Sequence, residues 1–355
     1  MTFINILVSG YLDRNFGDDI MIRILADRLK EHKLYLKTNR KELLIPFKDI
    51  DNVFELEENE KVNFDAMVRV IGSGFMTNSK IGLYYAIKDL MYYKKQKKKC
   101  KNLITIGCNV GPFSNKFAEF ILKRQMNYFD LITTRDENSY DYVKRHTKKA
   151  IVSCYPDIAF SIPQNWLPKE KSVENCLGIS AYRNNSKPYL NYDYYFAMAK
   201  IADEYIGRTG KKVLIFAFDI ENENDIVSAY TIKSLCKGAE MIEIILHIDN
   251  GDNIIKNMAR CSNIIAVRFH SAILAMRLGI PFFPVIYSEK LNNVLNDLNY
   301  TGERVLYSEA KSIDVPRLVS SLIAPKDNFV IDSLIFEKAN GHINALKEFL
   351  GGEIS

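Results

Sequence analysis

The chain has 355 residues, of which 47% are hydrophobic, and its formal net charge at pH 7 is +5. A chain of this length predicts two domains rather than one, and the apolar content is sufficient for two ordinary cores. The positive charge is too small and too dispersed for a nucleic-acid-binding protein, but it suits an anionic small molecule or a position beside a membrane.

The cysteine pattern and the N-terminal residues indicate a reduced, cytoplasmic protein. Six cysteines occur without a Cys-x-x-Cys pair or a metal-type spacing with histidine, so neither a metal site nor a disulfide framework is expected. The first ten residues lack a basic segment, and their apolar run is too short for a secretion signal. No window approaches the length of a membrane span.

Short apolar runs alternate with amphipathic helical segments, which is typical of parallel sheets covered by helices on both faces. In the first half, a helix is predicted at residues 18–30, and strands are predicted at residues 3–9, 67–71, 103–106 and 131–134. The same alternation restarts in the second half, where strands are predicted at residues 176–180, 213–218, 241–246, 263–267 and 282–286.

A polar segment with two prolines, residues 161–171, is the best candidate for a linker. The sequence therefore predicts an α/β protein with two doubly wound, Rossmann-like domains that face a cleft. The N-terminal domain is expected at residues 1–165 and the C-terminal domain at residues 172–330. Residues 331–355 are expected to form a C-terminal helix that could pack back on the first domain.

Arg268 and His270 follow the predicted strand 263–267 and open a helical pattern that ends at Gly279. Ligands of open parallel sheets bind outside the carboxyl ends of the strands. An arginine, an imidazole and the free N–H groups of the helix start, including that of Ser271, together suit an anion and a proton. The structural alternative is that His270 caps the helix and Arg268 pairs with a carboxylate.

Glycines follow the predicted strands of the N-terminal half at Gly10, at Gly72 and Gly74, and at Gly107. Glycine allows a positive φ and a close approach of the backbone to a ligand, although tight strand-to-helix turns explain such short motifs equally well. The loop after the first strand continues through Asn15 to Asp18 and Asp19, one of which is expected to cap the first helix.

Two further arginines are expected at carboxyl ends of strands. Arg135 follows the strand 131–134, and its structural alternative is an ion pair on the domain surface. Arg183 follows the first strand of the second domain and could contact a donor or an acceptor, although a solvated loop arginine is more common. The remaining histidines lack recognisable partners and are expected to be structural: His32, His146, His247 and His342.

The order of these motifs resembles the polysaccharide pyruvyl transferase family. The resemblance spans most of the chain and rests on Gly10…Asn15-x-Gly17-Asp18, Gly72-x-Gly74, Gly107…Gly111-Pro112, Thr134-Arg135-Asp136-x-x-Ser139, Pro156-Asp157, Arg268-x-His270, Gly279-Ile280-Pro281 and Tyr287-x-x-Lys290. No single motif is diagnostic, but their order and the last three together are fairly specific.

The resemblance implies a glycosyltransferase-B-like fold and the transfer of a pyruvyl group from phosphoenolpyruvate to two hydroxyls of a sugar. The products would be a cyclic pyruvate ketal and phosphate, and the donor substrate replaces any cofactor. By motif position, Arg135 and Arg268 would hold the donor, and His270 would be the general acid. The other motif residues, including Tyr287 and Lys290, would belong to the substrate-binding set.

The chemistry of the donor agrees with these residue types. Phosphoenolpyruvate carries a carboxylate and a phosphate on a three-carbon frame, which two guanidinium groups can bind in a bidentate manner. A histidine can deliver the proton that C3 requires. The chain departs from the usual family pattern at Cys108, where glutamine is usual, at Asn109, at Ser73 and after Asp157. These departures are expected to affect which sugar is accepted rather than the reaction.

Two other functions stay open on the sequence alone. A nucleotide-sugar-dependent glycosyltransferase would share the same two-domain frame, although no acidic motif that reads uridine or guanosine is recognised at the strand ends of the second domain. A non-catalytic relative that binds a sugar or a phosphate is the other alternative.

A lysine-rich run, residues 94–101, ends a predicted helix. A solvated helix end that the helix dipole favours is the structural interpretation. The alternative is peripheral contact with an anionic membrane, which would suit a lipid-linked saccharide acceptor at the inner face of the membrane.

Overall fold

The computed structural model describes residues 3–70, 74–77, 80–169, 174–324 and 332–352. The chain divides into two compact units. The first unit comprises Met1–Leu12, Asp18–Ser161 and Ser333–Ser355, and the second unit comprises Asp13–Gly17 and Ile162–Asp332. The chain therefore enters each unit more than once.

The strands, in chain order, are β1 (Asn5–Ser9), β2 (Lys33–Leu36), β3 (Val53–Glu55), β4 (Ala66–Val70), β5 (Phe75–Thr77), β6 (Asn102–Cys108), β7 (Val110–Phe113), β8 (Leu131–Thr134), β9 (Ile151–Cys154), β10 (Cys176–Ser180), β11 (Val213–Ala217), β12 (Ile242–Leu246), β13 (Cys261–Ala266), β14 (Phe282–Ile286) and β15 (Val305–Leu306).

The helices are α1 (Phe16–Arg28), α2 (Lys80–Gln96), α3 (Lys116–Met126), α4 (Glu137–His146), α5 (Asn191–Thr209), α6 (Asp225–Leu235), α7 (Asp252–Met258), α8 (Phe269–Arg277), α9 (Glu289–Asp297), α10 (Val315–Ile323), α11 (Leu334–Ala339) and α12 (Gly341–Gly352). Short 3₁₀ helices lie at Lys41–Phe47, Ile158–Ser161, Gln164–Trp166, Pro188–Leu190, Ala239–Met241 and Tyr307–Ser312.

A parallel sheet forms the centre of the first unit. Among the described residues, seven strands pair in the order β3-β2-β1-β4-β6-β8-β9. Strand β6 is buried along its whole length, as expected for a central parallel strand covered on both faces. The short strands β5 and β7 form a separate parallel pair.

Helices α2, α3 and α4 contribute to one hydrophobic core on this sheet. Met67, Leu103 and Ile132 extend from three neighbouring strands into the core, where they meet apolar side chains such as Tyr93 of α2 and Leu122 of α3. Burial of one such side chain stabilises the fold by about 1.5–3 kcal/mol. Helix α12 contacts β6 and β8, so residues that follow the second unit in the chain complete the first.

The second unit contains another parallel sheet. In the part of the chain that is described, its six strands pair in the order β12-β11-β10-β13-β14-β15. Strands β10 and β11 are buried along their entire length. A group of tyrosines from α5 and neighbouring loops, including Tyr182, Tyr194 and Tyr307, packs in its core. The predicted parallel α/β architecture is thus confirmed in both units.

The element bounds differ from the prediction mainly at edges. Helix α1 begins at Phe16 rather than Asp18, because the Asn15 side-chain oxygen accepts a hydrogen bond from the Gly17 N–H at 3.0 Å and so caps the helix. The expected capping role of Asp18 or Asp19 is therefore wrong, and both lie in the first turn. The C-terminal segment forms two helices, α11 and α12, instead of one.

None of the helices in the described residues has the length and apolar character needed to cross a membrane.

Candidate functional site

Arg268 lies at the carboxyl end of β13 in the second unit and immediately precedes α8. Its guanidinium makes a bidentate contact with Asp225: Nε donates to Oδ2 at 2.9 Å and Nη2 donates to Oδ1 at 2.5 Å. Nη1 donates to the carboxylate of Glu223. The side chain also lies over the ring of Tyr182, 4.7 Å from its centroid. Arg268 therefore pairs with carboxylates, as the structural alternative predicted.

Asp225 is fully buried at the first position of α6. Burial and the neighbouring Asp219 raise the pKa of the Asp225 carboxyl above its ordinary value, whereas backbone N–H groups of Asp219, Arg183 and Phe218 lower it. The bidentate guanidinium of Arg268 also favours the ionised form. Asp225 thus links the loops that follow β10 and β11 to the residue that follows β13.

The loop after β11 is organised by Asp219, which is also fully buried. Its Oδ1 accepts hydrogen bonds from the backbone N–H groups of Glu221 and Glu223 at 3.2 and 3.0 Å. Its Oδ2 accepts one from Asn15 Nδ2 at 3.1 Å. The same amide of Asn15 therefore caps α1 with its oxygen and holds Asp219 with its nitrogen.

Residues 13–17 are fixed in the second unit by further contacts. The Phe16 N–H donates to the Phe218 carbonyl at 2.8 Å, and Arg14 Nη2 donates to the Ile248 carbonyl at 2.8 Å. The ring of Phe16 packs edge-on against Phe218 and His247. A loop from the N-terminal end of the chain is thereby attached to the strand ends of the second sheet.

His270 lies in the first turn of α8, and its imidazole packs directly on Gly17. A Cβ built on Gly17 would lie 1.7 Å from His270 Nδ1 and 2.1 Å from Cε1, distances that no pair of non-bonded atoms can adopt. Only glycine at position 17 leaves space for the ring. Arg268 is the residue that precedes α8, and His270 is the second residue inside it, so His270 is not the capping residue of this helix.

Two other residues predicted for this site contact Arg268 or the tyrosine on which its guanidinium lies. Ser271 is fully buried, and its hydroxyl and backbone N–H both donate to the Arg268 carbonyl, at 2.6 and 3.0 Å. These hydrogens hold Arg268 instead of pointing to an external anion. The ring of Tyr287 packs at a tilt against Tyr182, with a centroid distance of 4.1 Å, and Lys290 lies in the first turn of α9.

Arg135 lies in the first unit, directly after β8, and it is also buried. Its Nη1 donates to Asp157 Oδ2 at 2.7 Å, and its Nη2 donates to Asn109 Oδ1 at 3.3 Å. The pair with Asp157 is buried on both sides, so the alternative of an ion pair on the domain surface is wrong. Asp157 and Asn109, two positions in the family motifs, therefore orient this guanidinium.

The glycine loops of the first unit serve close packing. A Cβ on Gly74 would lie 2.6 Å from the Asn109 carbonyl oxygen, which already accepts the Phe75 N–H at 2.9 Å. A Cβ on Gly10 would meet only the flexible end of Ile22 at 2.6 Å. Cys108 is fully buried, and burial raises the pKa of its thiol to about 12. Cys108 therefore exposes no atom that could contact an acceptor, contrary to its expected effect on which sugar is accepted.

Gly107 adopts a φ of 68° and donates its N–H to Thr133 Oγ1 at 3.1 Å. Thr133 Oγ1 is 2.6 Å from Nδ1 of His342, whose Nε2 is 2.9 Å from the Pro156 carbonyl. A carbonyl can only accept, so Nε2 carries the hydrogen and Nδ1 accepts from the threonine. Burial lowers the pKa of His342 to about 4. The expected structural role of His342 agrees with these contacts.

The predicted site residues thus fall into two groups. The second unit brings together Asn15, Arg183, Arg268, His270, Ser271, Tyr287 and Lys290, and the first unit contains Gly10, Asp18, Gly74, Gly107 and Arg135. Gly72 lies outside the described residues. Sequence reasoning missed Asp219, Glu223 and Asp225, although this acidic loop directly follows a predicted strand.

The residues gathered in the second unit can bind an anion and transfer a proton. The imidazole of His270 at the start of α8 belongs to the second residue after Arg268, whose guanidinium is fixed, and the first N–H groups of a helix favour negative charge. Among the described residues, no group of three or more His, Cys, Asp or Glu side chains is arranged to hold a metal ion.

Comparison with solved structures shows the fold class. The chain is similar to a putative UDP-N-acetylglucosamine 2-epimerase from Listeria monocytogenes, with 11% identity, a TM-score of 0.58, and coverage of 99% of this chain and 98% of that chain. It is also similar to the UDP-GlcNAc 2-epimerase from Methanocaldococcus jannaschii, with 10% identity, a TM-score of 0.59, and coverage of 98% of this chain and 99% of that chain. A third similar structure is S. aureus MnaA with UDP, with 13% identity, a TM-score of 0.57, and coverage of 99% of this chain and 97% of that chain.

These likenesses confirm the predicted fold, a pair of Rossmann-like domains like that of glycosyltransferase-B proteins. A comparison with curated proteins finds no significant match. The sequence matches the polysaccharide pyruvyl transferase family over residues 11–289, which is most of the chain and includes both Arg135 and the Arg268-x-His270 motif. The chain therefore belongs to the polysaccharide pyruvyl transferase family.

Proposed function

We propose that this protein transfers a pyruvyl group from phosphoenolpyruvate to two hydroxyls of a saccharide, with formation of a cyclic ketal and release of phosphate. The observation that carries the proposal is the position of His270, which packs on Gly17 two residues after Arg268, whose guanidinium is fixed by Asp225. Gly17 and the Arg268-x-His270 motif both lie within residues 11–289, the part of the chain that matches the family.

The reaction begins with proton transfer from His270 to C3 of the donor, which converts the methylene to a methyl group and makes C2 electrophilic. One sugar hydroxyl then attacks C2 and gives its proton to His270, which restores the acid. Attack by the second hydroxyl forms the second C2–O bond and breaks the C2–O bond to phosphate, and the proton of this hydroxyl leaves with the phosphate. A positioned acid of this kind contributes on the order of 10²–10⁴-fold to the rate.

Arg268 is proposed to bind the anionic donor with the N–H groups that its carboxylate partners leave available. Three of the five guanidinium donors are bonded to Asp225 and Glu223 within the described residues. Asp225 is completely buried, whereas Glu223 is 38% exposed. Asp225 therefore orients the guanidinium, and Glu223 is the partner that an incoming anion can replace.

Arg135 is proposed as a second donor-binding arginine. Its guanidinium is oriented by Asp157 and Asn109, so an anion bound there would meet a group with little rotational freedom. This orientation reduces the entropy lost on binding. The acceptor is proposed to be a cell-surface polysaccharide, its repeat unit or a lipid-linked precursor, and the reaction is proposed to occur in the cytoplasm.

The test is an incubation with phosphoenolpyruvate and a panel of saccharide acceptors. The expected result is phosphate release that depends on the acceptor, together with a product heavier by one pyruvate less one water. Phosphate release without an acceptor product, or no turnover with any acceptor that contains a suitable diol, would contradict the proposal.

A nucleotide-sugar function is the second candidate, because the similar S. aureus protein was solved with UDP. Thermal unfolding with phosphoenolpyruvate and with UDP-GlcNAc distinguishes the two. A ligand at a hundred times its dissociation constant stabilises a protein by about 2.7 kcal/mol. Stabilisation by the nucleotide sugar alone would favour the second candidate over the first.

A further inference from the structure

The outward face of helix α2 combines aromatic and basic side chains. Tyr84, Tyr85 and Met91 are 55%, 58% and 61% exposed, and Lys88 and Lys95 are exposed among them at helical spacing. The Lys88 ammonium lies 4.5 Å from the centroid of the Tyr84 ring. Large apolar groups and cations therefore share one solvent face of this helix.

Helix α3 has the same combination. Phe117 and Phe120 are 54% and 49% exposed, and Lys116 and Arg124 are exposed beside them. The guanidinium of Arg124 lies over the Phe120 ring, 5.1 Å from its centroid. Phenylalanine has no polar atom that would favour this exposure to water.

The two helices form one continuous surface. Gln125 Nε2 of α3 donates to the Ala86 carbonyl of α2 at 2.5 Å, and both helices bury their inner sides in the same core. Their outer sides therefore lie on the same side of the sheet. We call the exposed residues Tyr84, Tyr85, Lys88, Met91, Lys95, Lys116, Phe117, Phe120 and Arg124 the α2–α3 surface.

Acidic groups on these helices do not cancel the positive charge. Asp89 is only partly exposed, and burial raises the pKa of its carboxyl. Glu119 accepts a hydrogen bond from Tyr142 at 2.6 Å and pairs with Lys123 at 2.8 Å.

We propose that the α2–α3 surface binds an anionic lipid membrane. Aromatic rings suit the boundary between headgroups and acyl chains, and lysine and arginine stems can reach outward to lipid phosphates. Basic residues near an anionic bilayer each add to binding. A symmetric dimer through the same surface would bring two positively charged surfaces together, so like charges oppose a second copy of the chain as the occupant.

This inference goes beyond the proposed reaction, because membrane binding requires neither donor nor acceptor. If the acceptor is lipid-linked, the surface would keep the enzyme close to it. Binding is tested by co-sedimentation of the full chain with vesicles of phosphatidylcholine alone, and with vesicles that also contain phosphatidylglycerol. Failure to bind would leave the proposed chemistry intact, since turnover on a soluble acceptor is measured separately.

Two double variants separate the charged and aromatic contributions, and a third is the control. Lys88→Glu with Lys95→Glu should lower the partition coefficient on anionic vesicles by at least about tenfold. Phe117→Ser with Phe120→Ser should lower binding without removing its salt dependence. The matched control is Lys200→Glu with Lys211→Glu, which changes two exposed lysines of the second unit and should bind like wild type.

The expected pattern is binding to anionic vesicles that weakens as salt increases, with little binding to neutral vesicles. Equal binding to both vesicle types, or equal loss in the control and in the Lys88/Lys95 variant, would overturn the proposal. A dimer in vesicle-free solution that the Phe117/Phe120 variant dissociates would instead assign the surface to a second copy of the chain.

Discussion

His270 occupies the space that a side chain on Gly17 would need. A Cβ at position 17 would lie 1.7 Å from Nδ1 of the imidazole, so the N-terminal Asn15-x-Gly17 motif and the Arg268-x-His270 motif meet in a single contact. Asn15 reinforces this contact, since it caps α1 and bonds to Asp219. The glycine of the N-terminal motif is thus explained by the histidine that it supports.

Replacement of Gly17 by alanine should displace the imidazole and lower kcat by at least about 100-fold, the lower end of the contribution of a positioned acid. Steady-state phosphate release measures the effect, and circular dichroism checks that the fold is retained. The control is Gly207→Ala in α5, where a Cβ meets nothing within 4 Å. This control should retain activity and gain about 0.5–1 kcal/mol of stability. Full activity of Gly17→Ala would contradict the supporting role.

Replacement of His270 by alanine should abolish ketal formation and leave donor binding largely intact, because the acid acts in the chemical step. The expected loss of kcat is about 10²–10⁴-fold, while phosphoenolpyruvate should still raise the midpoint of thermal unfolding. His146→Ala is the control, since that histidine stacks on Tyr142 in the first unit. Normal turnover by His270→Ala would refute the acid assignment.

Arg268→Lys should weaken donor binding and destabilise the second unit together. Lysine cannot reproduce the bidentate contact with Asp225 or the contact of the guanidinium with the Tyr182 ring, so we expect a tenfold or larger increase in KM for the donor. The free energy of unfolding should fall by about 2 kcal/mol. The control is Arg317→Lys, whose partner Glu303 is largely exposed and whose effect should stay under about 0.5 kcal/mol. An unchanged KM would remove Arg268 from the donor site.

His342 should make the stability of the first unit depend on pH. Burial lowers its pKa from 6.5 to about 4, so between these two values the unfolded chain takes up a proton that the folded chain does not. The free energy of unfolding is unaffected above pH 6.5 and falls by about 3 kcal/mol as the pH decreases to about 4.

Urea unfolding at a series of pH values compares wild type with His342→Gln, which cannot titrate. The variant should lose most of this dependence, whereas His146→Gln should behave like wild type. Parallel pH curves for wild type and His342→Gln would show that the histidine does not resist protonation in the fold.

Local sequence predicted the central strands well. The bounds predicted for β8, β10 and β14 are those observed, because each is an apolar run that ends at a turn. The short strands β2, β3 and β9, of which β3 and β9 form the sheet edges, lack such a run and escaped prediction. The start of α1 was placed two residues late because Asn15, rather than an aspartate, caps it.

The site was predictable only in part, because its partners are distant in the sequence. Motif position identified Arg268 and His270, but nothing near them in the chain indicates that Asp225 is the bidentate partner or that Gly17 lies under the imidazole. Such pairings arise only when the parallel strands bring their carboxyl ends together. The carboxylates that orient Arg268, those of Asp225 and Glu223, were therefore the main residues that the sequence did not reveal.

The passage of residues 13–17 into the second unit has a practical consequence for dissection of the protein. A fragment cut at the linker and expressed alone would carry His270 without its glycine platform and Asp219 without the amide of Asn15. The opposite fragment would lack α12 and with it the imidazole that Thr133 contacts. No single cleavage of the backbone can release either half with all of its own parts.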